Sequence, residues 1–265
     1  MTMDIIQAMQ ERRSVRSYDR RPLDPTVIAQ LKIAIDNSYT LFGGNVTIRL
    51  KSFDLKGDFR PSTYGVIKGA SDFFLIGIGE GDDSALTAGF QFEQVVLKAT
   101  QLGLGTCWIA ATFKGSQFDR GEKWPDGESL KIISPVGTPD KLRLFEKITR
   151  FTLGSQNRKP FSALFFADNF KTPLATDNIF SEPLQMLRIA PSSTNSQPWR
   201  ALIKDDKVLF YYKPKSPASV LDMGIGICHF YETEKFNGFD GSFEKESEVP
   251  APPEDWKYLI TYKRI

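Results

Sequence analysis

Two stretches decide how this chain is read: LTAGFQFEQV, Leu86–Val95, and LDMGIGICHF, Leu221–Phe230. Adding 135 to Leu86, Gly89, Phe92 and Val95 gives Leu221, Gly224, Ile227 and Phe230, and the next step carries Gly103 onto Gly238, with no gap. Each stretch has the spacing of a helix, one predicted from about Asp83 to Leu102 and the other from about Ser219 to Asn237. NVTIRL at Asn45 and PWRALI at Pro198, 153 residues apart, are both turns entering strands. The offsets suggest an internal duplication. Chance similarity between two amphipathic helices would produce the same match, and the residues alone leave both readings open.

Outward from these helices the chain alternates helix and strand. Thr2 is placed to cap a first helix carrying Ile5, Ile6 and Met9, which runs into ERRSVRSYDRR. Leu23-Asp24-Pro25 opens a second helix, with a cap residue followed by proline at its first turn. Val46–Phe53 alternates like a half-buried strand, and Asp72–Gly77 reads as a buried one. After the long helix, GLGTCWIAA stops the helix at glycine and resumes extended structure. LKIISPVG is a further strand, and the loop through GSQNRKP is a plausible boundary between halves. The second half reads as a helix at Ser181–Ile189, the irregular APSSTNSQPWRALI, a hairpin in ALIKDDKVLFYY, the second long helix and a closing strand in YLITYKRI.

The chain has 265 residues, 41% hydrophobic and 25% charged, with 34 Lys and Arg against 32 Asp and Glu. These are ordinary globular proportions, and a net charge of +2 gives no reason to expect nucleic acid or an anionic membrane as partner. The longest apolar run, FFLIGIG from Phe73, is far short of the roughly 20 residues that cross a bilayer. The opening MTMDII lacks the features of a secretory signal, so the cytoplasm is the expected location. Two cysteines, Cys107 and Cys228, and one histidine, His229, cannot make a zinc-type Cys and His ligand set, and no metal site is expected. His229 sits in an apolar stretch and reads as structural. GIGEG, Gly77–Gly81, fails the dinucleotide spacing and carries acids where a pyrophosphate would lie.

Three motifs remain. Arg12, Arg13, Ser14 and Arg16 put guanidinium forks and a hydroxyl at the end of a short helix, suited to phosphate oxygens or simply to a solvated turn. Pro191, Ser192, Ser193, Asn195, Gln197 and Pro198 are poor helix formers, so irregular backbone there would offer free hydrogen-bonding groups to a flat heterocycle. Gly103 and Gly105 would let the main chain approach a ligand, and Ala110 and Ala111 leave room for a planar ring.

Together, and in this order, these motifs make the chain resemble the nitroreductase family of flavin mononucleotide (FMN) enzymes, and specifically its single-chain, internally duplicated members. RRSVRSYD resembles the family's opening phosphate motif, GLGTCWIAA its glycine turn and PSSTNSQPW its most specific signature. In the usual member PSSxNxQPW follows the first two helices, and two subunits share each flavin. Here that position reads NSYTLFGGNV, Asn37–Val46, and the signature appears only in the second half. The resemblance therefore implies one composite site in a single chain. Residues 1–171 would act as one subunit and 172–265 as a shortened partner, with the long helices as the former dimer interface and no working mirror site.

The implied fold is an α+β, nitroreductase-like α/β/α sandwich with a mixed, mainly antiparallel sheet, folded as an intramolecular pseudo-dimer. The implied activity is FMN-dependent oxidation of NADH or NADPH, ping-pong, with a nitroaromatic, quinone or similar small-molecule acceptor; a flavin-holding protein without turnover is the alternative. The resemblance gives Arg12, Arg13, Ser14 and one of Arg158 and Lys159 to the phosphate, and Arg16 to the pyrimidine edge. Pro191, Ser192 and Ser193 would lean on the ring, with Asn195 hydrogen-bonding nearby. Ile109, Ala110 and Ala111 would run past it, the Ala110 N–H toward flavin N5, and no side chain is required as a catalytic base. Tyr64 stands near the expected pyrimidine-edge segment without the family's usual residues. Trp108 and Trp199 read as packing residues, and a monomer is expected.

Overall fold

The computed structural model describes residues 3–54, 60–140, 157–253 and 255–265. Helix α1 (Ile5–Glu11) is capped by Asp4 rather than Thr2, which lies outside the described residues. The Asp4 carboxylate accepts the Gln7 N–H at 2.8 Å while the Gln7 side chain accepts the Asp4 N–H at 3.3 Å, so both orphan donors are satisfied reciprocally. Asp24 caps α2 (Pro25–Asp36) as predicted, accepting the Thr26 N–H at 2.8 Å.

The first sheet contains β1 (Val46–Ser52), β2 (Asp72–Ile78), β3 (Gly105–Thr106) and β4 (Ser129–Gly137), in the order β1-β2-β4-β3 with all pairs antiparallel. β2 is buried along its whole length, which explains why it reads as a continuous apolar run. The extended stretch predicted after the glycine turn is only two residues of strand, because the Cys107 N–H leaves the ladder for the Ser134 hydroxyl at 3.2 Å. A single bridge, Ile109 to Ile133, resumes the pairing.

The second sheet contains β5 (Phe165–Ala167), β6 (Trp199–Lys204), β7 (Lys207–Tyr212), β8 (Gly241–Glu244) and β9 (Lys257–Arg264), in the order β5-β6-β7-β9-β8. Only β5 against β6 is parallel. The expected mixed, mainly antiparallel pairing is thus found, distributed over two sheets. β5 precedes residue 171 yet pairs with the strands of the second half.

Helices α3 (Asp82–Gln101) and α6 (Ser219–Phe236) lie against each other between the sheets; α4 (Gly115–Phe118) and α5 (Ser181–Ile189) complete the described α-helices. Where α3 and α6 cross, a Cβ on Gly89 would stand 2.1 Å from the Leu221 carbonyl oxygen, and one on Gly224 would stand 2.1 Å from that of Leu86. The contact reads the same in both directions, between the residues that the 135-residue offset pairs. Most of α6 is buried, since α3, α5 and the second sheet surround it. No helix among the described residues is long and apolar enough to cross a membrane.

Candidate functional site

Past α1 the chain becomes extended and runs alongside β3. The Val15 N–H donates to Thr106 O at 2.8 Å, Ser14 bridges Thr106, and the Lys68 N–H donates to Arg16 O at 2.8 Å. Val15 fills the space that Gly105 leaves, since a Cβ there would lie 2.6 Å from a Val15 methyl. Gly105 therefore admits a neighbouring side chain rather than a ligand, and Gly103, at φ 74°, supplies the left-handed helix stop. These contacts hold the arginine turn beside the glycine turn.

Opposite stands the segment after α5. Thr194, Asn195 and Gln197 have φ of 50°, 55° and 49°, so three of four successive residues, none of them glycine, lie in the left-handed region. Such conformations cost of order 1 kcal/mol or more each and persist only where the surroundings enforce them. Here the buried Asp222 carboxylate takes the Ser193 N–H on both oxygens, at 3.0 and 3.1 Å, and Ser192 Oγ accepts the Gln197 N–H at 3.0 Å. The Gln197 amide accepts the Lys159 N–H at 2.8 Å and donates to Asn157 O at 3.1 Å.

Between the two walls lies a cleft of about 800 Å³. Arg12, Arg13, Ser14 and Arg16 line one side and Arg158, Pro191, Ser192 and Asn195 the other. Met9, Gln10, Glu11, Ile189 and Thr194 also line it and were not anticipated; the helical spacing of Met9 and Ile189 marks them only as apolar-face residues. Glu11 is the one carboxylate among the described lining residues, so the cleft has a clear excess of positive charge.

Several anticipated residues sit elsewhere. Lys159 does not line the cleft: its Nζ donates to the carbonyls of Ser196 and Gln197 at 2.7 and 3.1 Å. Ser193 is not among the lining residues either, and its backbone N–H is taken by Asp222. Asn195 lines the cleft, but its Oδ1 accepts from Arg158 at 2.7 Å and its Nδ2 donates to Asn157 O at 2.8 Å. Its side chain thereby fixes Arg158, whose other Nη donates to Ile189 O at the end of α5 at 2.9 Å. Ile109, Ala110 and Ala111 are outside the cleft lining, and the Ile109 N–H is held by Ile133 O at 3.0 Å. Ala110 and Ala111 are exposed. Tyr64, at φ 50°, is exposed too.

Charge in the cleft is under strain. Burial, then repulsion from Arg12 and Arg188, pushes the Arg158 guanidinium down to about 10. Burial also pulls Arg12 below its ordinary value, against the opposing pull of Glu93. The Arg12 side chain makes no hydrogen bond to any described residue, and its Nε is buried without a partner. A buried N–H in this condition calls for a hydrogen-bond acceptor, and an anion entering the cleft would supply one.

Behind the second wall, burial raises Asp222 to about 7, opposed by the Ser193 N–H and the Ser196 hydroxyl. A carboxyl raised on folding contributes stability below its unfolded value, near 4, and loses it as pH climbs to about 7. Asp222→Asn is therefore expected to flatten the decline in stability between about pH 4 and 7, measured as denaturation midpoints across that range. An unchanged slope would show that Asp222 ionises freely in the folded protein.

A family model described as "Putative TM nitroreductase" matches residues 4–233. Among solved structures, one described as a putative nitroreductase from Thermotoga maritima MSB8 is 22% identical, with 99% of this chain and 93% of that chain covered and a TM-score of 0.61. A nitroreductase with bound FMN from Bacteroides fragilis NCTC 9343 is 15% identical, over 54% of this chain and 91% of that chain, at a TM-score of 0.40. No curated protein sequence matches the chain.

Proposed function

The chain belongs to the nitroreductase family whose model spans residues 4–233, and from that premise we propose that it is an FMN-dependent NAD(P)H oxidoreductase with one flavin site per chain. The observation that carries this reading is the buried Arg12 guanidinium, whose Nε makes no hydrogen bond and stands 3.9 Å from Glu93, in a cleft where Arg13, Arg16 and Arg158 add further positive charge. A cleft of about 800 Å³ is also within the usual range for a small-molecule site. The residues present therefore fit a ligand with an anionic end.

Bound FMN would supply hydride exchange between NADH or NADPH and an acceptor such as a nitroaromatic or a quinone, in a ping-pong sequence. The chain's own residues bind and orient. Arg12, Arg13 and Ser14 would hold the phosphate from one wall and Arg158 from the other. Arg16 would place positive charge near the pyrimidine edge, where negative charge accumulates on reduction. Pro191 and Ser192 would bound the ring on its other side. The Ala110 N–H, outside the cleft lining and donating to no described backbone carbonyl, would serve flavin N5 only where the ring reaches beyond the cleft toward the glycine turn.

This reading takes residues 1–171 and 172–265 as two duplicated halves, a monomeric pseudo-dimer in the cytoplasm. The reciprocal crossing at Gly89 and Gly224 supports it. The segment that replaces the signature in the first half is closed by rings: Phe42 meets Phe90 at 5.3 Å and Phe243 at 5.2 Å, and Tyr39 meets Phe90 at 5.8 Å. That aromatic plug supports a single site.

The test is reconstitution. Purified chain incubated with FMN is expected to retain about one equivalent with a shifted flavin absorption spectrum, and anaerobic NADH or NADPH is expected to bleach it. A colourless protein would remove the reading, and bound flavin that neither nucleotide bleaches would leave a flavin-holding protein.

A further inference from the structure

The one histidine of the chain stands behind the cleft in a network whose centre, His229 and Glu93, is fully buried. His229 on α6 presents Nδ1 to Met186 O at 3.2 Å and Nε2 to Glu93 Oε1, on α3, at 3.0 Å. Glu93 Oε2 accepts the Trp108 indole N–H at 2.8 Å, and Arg12 Nε stands 3.9 Å from Oε1, too far for a hydrogen bond. Glu93 and His229 are wholly inaccessible, and the Arg12 side chain is 8% exposed.

A carbonyl oxygen only accepts, so Nδ1 carries a hydrogen. A neutral imidazole would then turn the bare lone pair of Nε2 toward a carboxylate oxygen. A second hydrogen is needed between them. The Trp108 N–H and the nearby Arg12 charge both favour the ionised carboxylate, which places that hydrogen on nitrogen. We infer that His229 is held as an imidazolium that cancels the charge of Glu93, leaving the full charge of Arg12 for the anion in the cleft. His229 touches no ligand; it is a positioning residue that acts through Glu93 on Arg12, across the packing of α3 against α6. Were His229 neutral, Glu93 would cancel Arg12 instead, and the innermost cation of the cleft would be spent within the protein. The part that concerns FMN rests on the flavin site proposed above.

The charges lead to an asymmetric test. His229→Gln leaves Glu93 to neutralise Arg12, and FMN affinity is expected to fall about tenfold or more, the worth of a charge-assisted contact. Adding Glu93→Gln to that variant removes the offending carboxylate and is expected to restore affinity to within about threefold. Riboflavin, which lacks the phosphate, is expected to bind all three proteins alike, whereas a packing lesion would weaken both ligands. Because there is one histidine, ¹⁵N-histidine NMR of the unaltered protein reads its ring directly, and both nitrogens are expected to be protonated at neutral pH. A bare ring nitrogen, or a double variant no better than His229→Gln, would overturn the inference. Failure of the unaltered protein to bind FMN would overturn the flavin reading, while the NMR result still decides the charge on His229.

Discussion

Gly89→Ala and Gly224→Ala are each expected to lower the thermal midpoint by about 10 °C or more, or to prevent folding. In either variant the new methyl carbon lands 2.1 Å from a main-chain carbonyl oxygen of the other helix. Overpacking costs about 1–3 kcal/mol when side chains can move aside. Here only the two helix backbones can give, so the cost belongs at or beyond the upper end of that range, and about 3–4 kcal/mol corresponds to roughly 10 °C in a chain of this size. Gly115→Ala is the control, since its nearest neighbour would be the Phe113 ring at 3.8 Å and little change is expected. A midpoint unmoved in both crossing variants would mean that α3 and α6 do not approach this closely. Helices pushed apart at the crossing would also shift α1 and α5, which pack on them and carry the two cleft walls, so weakened FMN binding should accompany any variant that still folds.

The second large effect concerns the ligand. Arg12→Ala is expected to reduce FMN affinity about a hundredfold, the effect of losing the buried guanidinium proposed to hold the phosphate. Arg16→Ala, at the more open part of the turn, is expected to cost about tenfold. Both are measured by fluorescence quenching of the flavin, with circular dichroism checking the fold. The Arg12 variant leaves Glu93 paired with His229 and Trp108 rather than isolated, so it is expected to remain folded. Unchanged affinity in both variants would contradict the assignment of the cleft.

Much of the local structure is legible because the signals act over a few residues. Asp24-Pro25 announces α2, the apolar run of β2 announces burial, and Gly103 announces the end of α3. Asp4 and Gln7 have the spacing of a capping box, a stronger signal for the start of α1 than the residue type of Thr2 alone. β5 left little trace, because three residues are too few to show a period. Arg158 and Lys159 could not be told apart in sequence, because both are cations in one basic loop. The structure sends the first to Asn195 and Ile189 at the cleft and the second to the carbonyls of Ser196 and Gln197.

What the order of residues determined by itself is most of the elements, with β5, β8 and the one-turn α4 the exceptions, the paired glycines of the two long helices and the motifs that could meet a phosphate. Each of these depends on neighbours within a turn or on a match between two stretches. The tertiary structure alone decided which of those groups face one cleft, which are consumed in holding a strained turn, and that Glu93 and His229, 136 positions apart, stand behind Arg12. The reason is distance: hydrogen bonding and charge act over a few ångströms, and separation along the chain carries no information about separation in space until the helices have packed.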